Sequence, residues 1–183
     1  MARYYRRVRE AVFANEGMLD KFIGDAVLAV FGYPNPSPSA ALKALKFAQD
    51  LIRIGHDILT DWRAELNAII ETGTRVGVAN GNIWPLNIGQ TEVEISLLGD
   101  TINLAARLEK ACNVNGILLD NRTRTKAGAV DASYIESLTL AERQLPPSDA
   151  KGQQFNILAW QVPSTQTISP AISNSVDTGD GSA

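Results

Sequence analysis

The chain has 183 residues, and 17 Lys and Arg against 20 Asp and Glu give a formal net charge of −3. This acidic balance excludes a generically basic nucleic-acid binder. The length suits one domain, and 45% hydrophobic with 20% charged residues is typical of a folded globular protein. The longest nearly unbroken apolar run, 26–31, is far shorter than the ~20 residues of a membrane helix. We therefore expect a folded domain without a membrane segment.

The chain contains one cysteine, Cys112, and one histidine, His56. A single cysteine excludes an intrachain disulfide, and one residue of each type excludes Cys-rich and two-histidine metal sites. A reducing, cytoplasmic setting is the expected location. Any chemistry must therefore be carried by carboxylates, lysine, arginine, amides and hydroxyls.

The first part of the chain predicts a helix, a hairpin and a second, longer helix. Apolar residues recur at helical spacing over 3–15 and are followed by helix stop signals. The short apolar runs 18–23 and 26–31 flank a Gly-Asp pair and predict a β-hairpin with an acid at its tip. After a segment rich in Gly and Pro, a broad apolar stripe predicts a helix over 39–66.

The rest of the chain predicts strands and helices in alternation. Strands are predicted at 69–79, 92–98, 116–119, 134–138 and 155–162, and helices at 101–112 and 122–127. Asp100 or Thr101 is placed to cap the first of these helices. From residue 163 onward Ser, Thr, Asp, Gly and Pro predominate, which predicts one domain at 1–162 and a disordered tail at 163–183. This order of elements is typical of a mixed α+β sheet domain.

Asp25 lies at the predicted hairpin turn. A carboxylate held at a strand end is a good Mg²⁺ ligand, because Mg²⁺ prefers hard oxygens and takes one or two carboxylates beside substrate phosphates. Aspartate is also common in turns that bind nothing. The spacing alone leaves both interpretations open.

Asn103 and Arg107 are four residues apart on the predicted helix 101–112, so both point from one face. An amide that orients a hydroxyl, beside a guanidinium that neutralises phosphate charge, suits phosphoryl chemistry. A solvated helix face would show the same pair. Lys151, on the predicted loop before the last strand, is a weak signal by itself, and no P-loop or dinucleotide-binding glycine motif occurs.

Two long stretches resemble the catalytic domain of class III adenylate and guanylate cyclases. They are LDKFIGDAVLAVFG at 19–32 and LGDTINLAARLE at 98–109, and they occur in the family's order with a further similar segment, 76–89, between them. The resemblance covers the chain from residue 1 to about 162. It implies an α+β fold with a ferredoxin-like mixed sheet and flanking helices.

The resemblance also implies an activity and a set of roles. The family closes a nucleoside triphosphate by attack of the ribose 3′-hydroxyl on the α-phosphate, releasing pyrophosphate, with two metal ions held by two aspartates. Asp25 matches the second of these aspartates, so the expected ions are Mg²⁺ or Mn²⁺. Asn103 and Arg107 match the residues that position the ribose and stabilise charge at the α-phosphate. Lys151 matches the lysine that holds the terminal phosphates.

Base selection is implied by two further matches. Lys21 matches the base-reading lysine, and Ser96 lies where adenylate cyclases typically carry Asp or Thr. Lysine only donates hydrogen bonds, so Lys21 suits the N1 acceptor of adenine and cannot accept from the N1–H of guanine. The Ser96 hydroxyl can accept from the adenine amine but can also donate to the guanine oxygen. The expected substrate is therefore ATP.

The sequence departs from the family at its start. The family's domain begins with a central strand that bears the first metal aspartate in a Phe-x-Asp-Ile-x-Gly-Phe pattern, followed by a helix. The sequence contains neither, so we expect a cyclase domain lacking its first strand and helix. Because family sites form between protomers, a homodimer or a heterodimer with another cyclase domain is expected. Two hypotheses follow: an adenylate cyclase catalytic domain in intracellular signal transduction, or a catalytically silent cyclase-like module that dimerises or binds nucleotide.

Overall fold

The computed structural model of the protein describes residues 1–67, 72–87, 95–147 and 156–163. The predicted ends at 69–71, 92–94 and 155, and the predicted tail beyond residue 163, lie outside these ranges. In chain order the described elements are α1 (Ala2–Ala14), β1 (Gly17–Ile23), β2 (Ala26–Phe31), α2 (Ala40–Leu66), β3 (Arg75–Val78), β4 (Trp84–Asn87), β5 (Ile95–Leu98), α3 (Asp100–Ala111), β6 (Gly116–Asp120), α4 (Asn121–Gly128), α5 (Ala132–Ser137), β7 (Ala141–Leu145) and β8 (Ile157–Val162).

The strands form three sheets in the described part of the chain. One four-stranded sheet has the order β3-β6-β8-β7, in which β3 and β6 are parallel and the other neighbours are antiparallel. The β1-β2 and β4-β5 pairs are separate antiparallel ribbons. The mixed α+β architecture predicted from the sequence is confirmed.

Helix α2 contributes one side of the main hydrophobic core. Its 27 residues present a broad apolar stripe, which buries residues such as Leu45 and Ile52 against the sheet and against α1. From α1, Val8 and Val12 are completely buried in the same core. The core therefore holds the β1-β2 hairpin and the four-stranded sheet to one helical layer.

Helix α3 packs unusually closely on β3. A Cβ atom built at Gly77 would lie 2.1 Å from the carbonyl oxygen of Ala105 and 2.4 Å from the amide nitrogen of Glu109. Only glycine permits this approach of strand to helix backbone. The contact fixes the position of the helix that carries Asn103 and Arg107.

Several predicted elements were wrong. The segment 134–138 is helix α5 rather than a strand, because a short apolar run fits either periodicity, and here Asp131 caps a helix by accepting from the Tyr134 amide at 2.9 Å. Strand β7 was missed because its sequence, AERQL, is mostly polar. Strand β4 lies between the strands predicted at 69–79 and 92–98, where no strand was predicted. Neither Asp100 nor Thr101 caps α3, whose N-cap is Gly99.

Asp120 joins three elements through one buried carboxylate. It ends β6 with 5% exposure, and its Oδ1 accepts from the amides of Asn80 at 3.2 Å and Thr123 at 3.0 Å. We expect Asp120→Ala to lower the free energy of unfolding by about 3 kcal/mol, because a helix cap and a link to the end of β3 are lost together and buried donors are left unpaired.

Chemical denaturation measures this loss, and Asp131→Ala is the matched control because Asp131 caps α5 from the surface. The amide of Tyr134 and then the hydroxyl of Ser133 donate to Asp131 and lower its pKa. Asp131→Ala should lower the free energy of unfolding clearly less than Asp120→Ala does. Equal losses would show that the link from Asp120 to Asn80 contributes nothing.

Candidate active site

The β1-β2 turn holds Asp25 at an exposed position. Gly24 has a φ of +63°, which glycine adopts without steric cost at the first position of a two-residue hairpin turn. The hydroxyls of Tyr4 and Tyr5, from α1, donate to the carbonyls of Asp25 and Gly24, both at 2.9 Å. Burial, and then the Asp25 carboxylate, raise the pKa of Tyr4 to about 12, so its phenol keeps the proton that this bond requires. The helix thus holds the turn in place.

Lys21 lies on β1 beside a buried carboxylate. A β-bulge between Leu19 and Lys21 places Asp20 out of register with β2. The Asp20 side chain is 4% exposed, and its Oδ2 lies 3.3 Å from the Nζ of Lys21, which is itself 42% exposed. The ion pair with Asp20 therefore restrains the Lys21 ammonium group, while the lysine side chain remains accessible to a ligand.

Asn103 and Arg107 lie one turn apart on α3, as predicted. Asn103 is exposed and Arg107 is half-buried. The Nη2 of Arg107 donates to the carbonyl of Pro146, at the end of β7. A guanidinium has five N–H donors, so this bond orients the group while using only part of its capacity.

A cavity of about 1060 Å³ is lined by Asp25 but not by this pair. Asp25 lines the cavity together with β2, β3 and the face of α3 that carries Thr101 and Ala105. Lys21, Asn103 and Arg107 do not line it. A single chain therefore presents Asp25 and the Asn103–Arg107 pair to different spaces.

Two predicted site residues cannot be placed. Ser96 lies in β5 opposite Leu86 of β4, but its side chain is outside the described part of the structure. Lys151 lies wholly outside the described residues. Both roles remain predictions from the resemblance.

A two-ion metal centre does not fit the described residues of one chain. No group of three or more acidic, histidine or cysteine side chains that could hold an ion occurs within the described ranges. Asp25 offers one carboxylate at an exposed turn, which suits an ion that takes its other ligands from water and phosphate. Any second carboxylate would have to come from elsewhere.

Sequence reasoning missed the tyrosines that support the turn. Tyr4 and Tyr5 lie on the helix predicted over 3–15, and nothing in the local sequence signals a contact with a turn about 20 residues away. It also missed the exposed apolar face of the β4-β5 ribbon. Trp84 and Leu98 are opposite each other in register and 61% and 51% exposed, and Leu86, two residues along, is 47% exposed.

Within the described residues, no helix is both long enough and apolar enough to cross a membrane.

Comparisons with curated proteins give relatives of moderate identity. The uncharacterized protein Rv1318c of Mycobacterium tuberculosis is 35% identical over 136 residues, which are 73% of this chain and 22% of that protein. The terminal-differentiation-specific adenylate cyclase of Dictyostelium discoideum is 33% identical over 101 residues, 52% of this chain and 4% of that protein. The chain thus spans less than a quarter of the length of these relatives.

Solved structures share the fold at lower identity. The guanylyl cyclase Cya2 has a TM-score of 0.72 at 21% identity, with 87% of this chain and 76% of that chain covered. The adenylyl cyclase CyaB from P. aeruginosa has a TM-score of 0.63 at 21% identity, with 87% and 78% covered. A family model for the adenylate and guanylate cyclase catalytic domain matches residues 2–137. The chain therefore belongs to the adenylate and guanylate cyclase catalytic-domain family.

Proposed function

We propose that this chain supplies the nucleotide-binding half of an adenylate cyclase site, within a dimer whose other chain supplies metal ligands. The observation that carries the proposal is the rigid presentation of Asn103 and Arg107 on α3, away from Asp25 and its cavity. Asp25 lines the cavity and the Asn103–Arg107 pair does not, so within one chain they do not form a single site. In a dimer, a second chain can bring a metal ligand to the pair and a nucleotide-binding pair to Asp25. The proposal therefore requires association.

The reaction assigns a task to each residue of the pair. The ribose 3′-oxygen loses its proton and bonds to the α-phosphorus, and the bond to pyrophosphate breaks. The Asn103 amide would hold the ribose so that its hydroxyl points at the phosphorus. The Arg107 guanidinium would neutralise the charge that builds on the α-phosphate oxygens. Lys151 would bind the terminal phosphates.

ATP is the proposed substrate because of the donor chemistry of Lys21. The ammonium group can donate to adenine N1 but cannot accept from the N1–H of guanine. The carboxylate of Asp20, whose Oδ2 lies 3.3 Å from the Lys21 Nζ, attracts the ammonium group to one position. The Ser96 hydroxyl would accept from the adenine amine.

Mg²⁺ or Mn²⁺ is the proposed ion, with Asp25 as its ligand from this chain. An ion of this kind would stabilise the attacking and leaving oxygens. The exposed turn suits an ion shared with substrate phosphates, and the remaining carboxylate would belong to a partner chain.

The exposed apolar face of Trp84, Leu86 and Leu98 supports association. These side chains lie together on one face of the β4-β5 ribbon and leave large apolar areas in contact with water. Such contiguous apolar patches commonly mark protein interfaces. We propose that a second cyclase domain covers this face.

The second candidate function is a silent cyclase-like module that dimerises or binds nucleotide without turnover. It is favoured by the single metal-type carboxylate at the described site. Purified chain, alone and mixed with an intact cyclase chain, should be assayed for cyclic nucleotide formation from ATP and from GTP. We expect the mixture to convert ATP in preference to GTP and the isolated chain to show little turnover. A mixture no more active than the intact chain alone would favour the silent module.

A further inference from the structure

Strand β7 is bonded to helix α3 through two arginines. From the middle of the strand, Nη1 of Arg143 donates to the carbonyl of Ala111, the last residue of α3, at 2.9 Å. Just past the end of the strand, the carbonyl of Pro146 accepts from Nη2 of Arg107. The segment of α3 that begins at Arg107 is therefore tied to one strand at both of its ends.

A small buried cluster joins the same two elements. Leu145 of β7 and Leu108 of α3 both belong to it. Leu145 lies between Arg143 and Pro146 in the strand, and Leu108 follows Arg107 in the helix. Close-packed interiors have low compressibility and transmit displacements. A shift of the C-terminal end of α3 relative to β7 would therefore move the Arg107 side chain.

A buried polar network holds the Arg143 side chain itself. Its Nη1 also donates to Oε1 of Gln161, on β8, at 3.1 Å, and Gln161 is 6% exposed. The Nε2 of Gln161 donates in turn to the carbonyl of Ile117, on β6, at 3.1 Å. The guanidinium is thus fixed between the sheet and the end of the helix. A cation there suits the negative end of the helix dipole and pairs with a carbonyl that has no partner within the helix.

We propose that Arg143 is a positioning residue for the cyclase reaction and that it acts through Arg107. Its role rests on the proposed function, in which Arg107 neutralises charge at the α-phosphate. By fixing the C-terminal end of α3 against β7, Arg143 sets where the Arg107 guanidinium lies relative to that phosphate. A misplacement of about 1 Å can cost ~10²-fold in rate. Arg143 is assigned no contact with the nucleotide, so its loss should act on turnover through geometry.

The test measures cyclic AMP formation in a mixed dimer whose other chain keeps its metal aspartates but lacks its own asparagine and arginine. Arg143→Met keeps an unbranched apolar side chain and removes the charge and the donors. We expect kcat to fall about tenfold and KM for ATP to change by less than about twofold, because the groups that bind the nucleotide remain. Arg143→Lys keeps the charge and one donor group, so its kcat should fall only about threefold.

Arg75→Ala is the matched control on the same helix. The Nε of Arg75, on β3, lies 3.2 Å from Oε1 of Glu109, on α3, and this exposed ion pair does not involve β7. Exposed pairs of this kind contribute little to stability. Arg75→Ala should therefore leave kcat unchanged.

A double variant shows whether Arg143 acts through Arg107. If it does, Arg143→Met should lower kcat when Arg107 is present and produce no further loss when Arg107 is already alanine. An equal loss in both backgrounds, an equal loss in Arg75→Ala, or an unchanged kcat in Arg143→Met would overturn the proposal. If Arg143→Met does not fold, Arg143→Lys is compared in the same two backgrounds by the same criteria.

Two outcomes separate this role from the proposed function. Unchanged turnover in Arg107→Ala would remove the proposed role of Arg107 and the role of Arg143 with it. A loss of turnover in Arg107→Ala without a loss in Arg143→Met would overturn the role of Arg143 alone.

Discussion

Replacing Arg107 by alanine should lower turnover ~10²–10³-fold in a mixed dimer whose other chain keeps its metal aspartates but lacks its own asparagine and arginine. In that dimer, this chain alone can supply the nucleotide-binding pair. The guanidinium acts on charge that develops in the transition state, so kcat should fall much more than the affinity for ATP. Initial rates of cyclic AMP formation over a range of ATP concentrations separate the two effects.

Two further variants decide what Arg107 contributes. Arg107→Lys keeps the positive charge but loses the planar pair of donors, so its activity should lie between wild type and alanine. Arg122→Ala, at an exposed position on α4, removes an equal charge away from the site and should leave turnover unchanged. Unchanged turnover in Arg107→Ala would remove α3 from the proposed reaction.

Exchanging Lys21 for glutamate should lower kcat/KM for ATP by ~10²-fold in the same mixed dimer. The carboxylate cannot donate to adenine N1, and it would face Asp20 as a like charge at close range. The discrimination between ATP and GTP should narrow, because glutamate accepts hydrogen bonds where lysine donates them. Competition between the two nucleotides in one reaction measures this ratio directly.

Lys126→Glu is the matched control, since it makes the same charge change at an exposed position on α4. It should leave the ratio of ATP to GTP use unchanged. If Lys21→Glu used ATP as well as the wild-type chain, Lys21 would not contact the base, and selection would have to rest on Ser96 or on other residues.

Local patterns predicted the fold where one periodicity was clear. The stripe over 39–66 corresponds to α2, because burial of one helix face needs that spacing, and the short apolar runs on either side of the Gly-Asp pair correspond to the β1-β2 hairpin. The segment 134–138 was too short for its apolar pattern to distinguish a helix from a strand. Strand β7 is stabilised by its pairing with β8 rather than by apolar residues of its own. Such elements depend on partners that are distant in sequence.

In the candidate site, too, local features were predicted and contacts between distant segments were not. Asn103 and Arg107 were predicted to share a helix face because four-residue spacing is a local property, and the helix is present. The bond from Arg107 to Pro146 and the bonds from Tyr4 and Tyr5 to the hairpin turn join segments far apart in the chain. No local pattern encodes those contacts. The separation of Asp25 from the α3 pair likewise depends on how β2, β3 and α3 surround one cavity.

The most direct test of the half-site account is complementation. The chain is mixed with an intact cyclase chain in which the residues equivalent to Asn103 and Arg107 are both alanine, and cyclic AMP formation from ATP is measured for each chain alone and for the mixture. The account predicts little activity from either chain alone and recovered activity in the mixture, lost again with Arg107→Ala. Robust activity of this chain alone, or no recovery in a mixture shown to form mixed dimers, would contradict it.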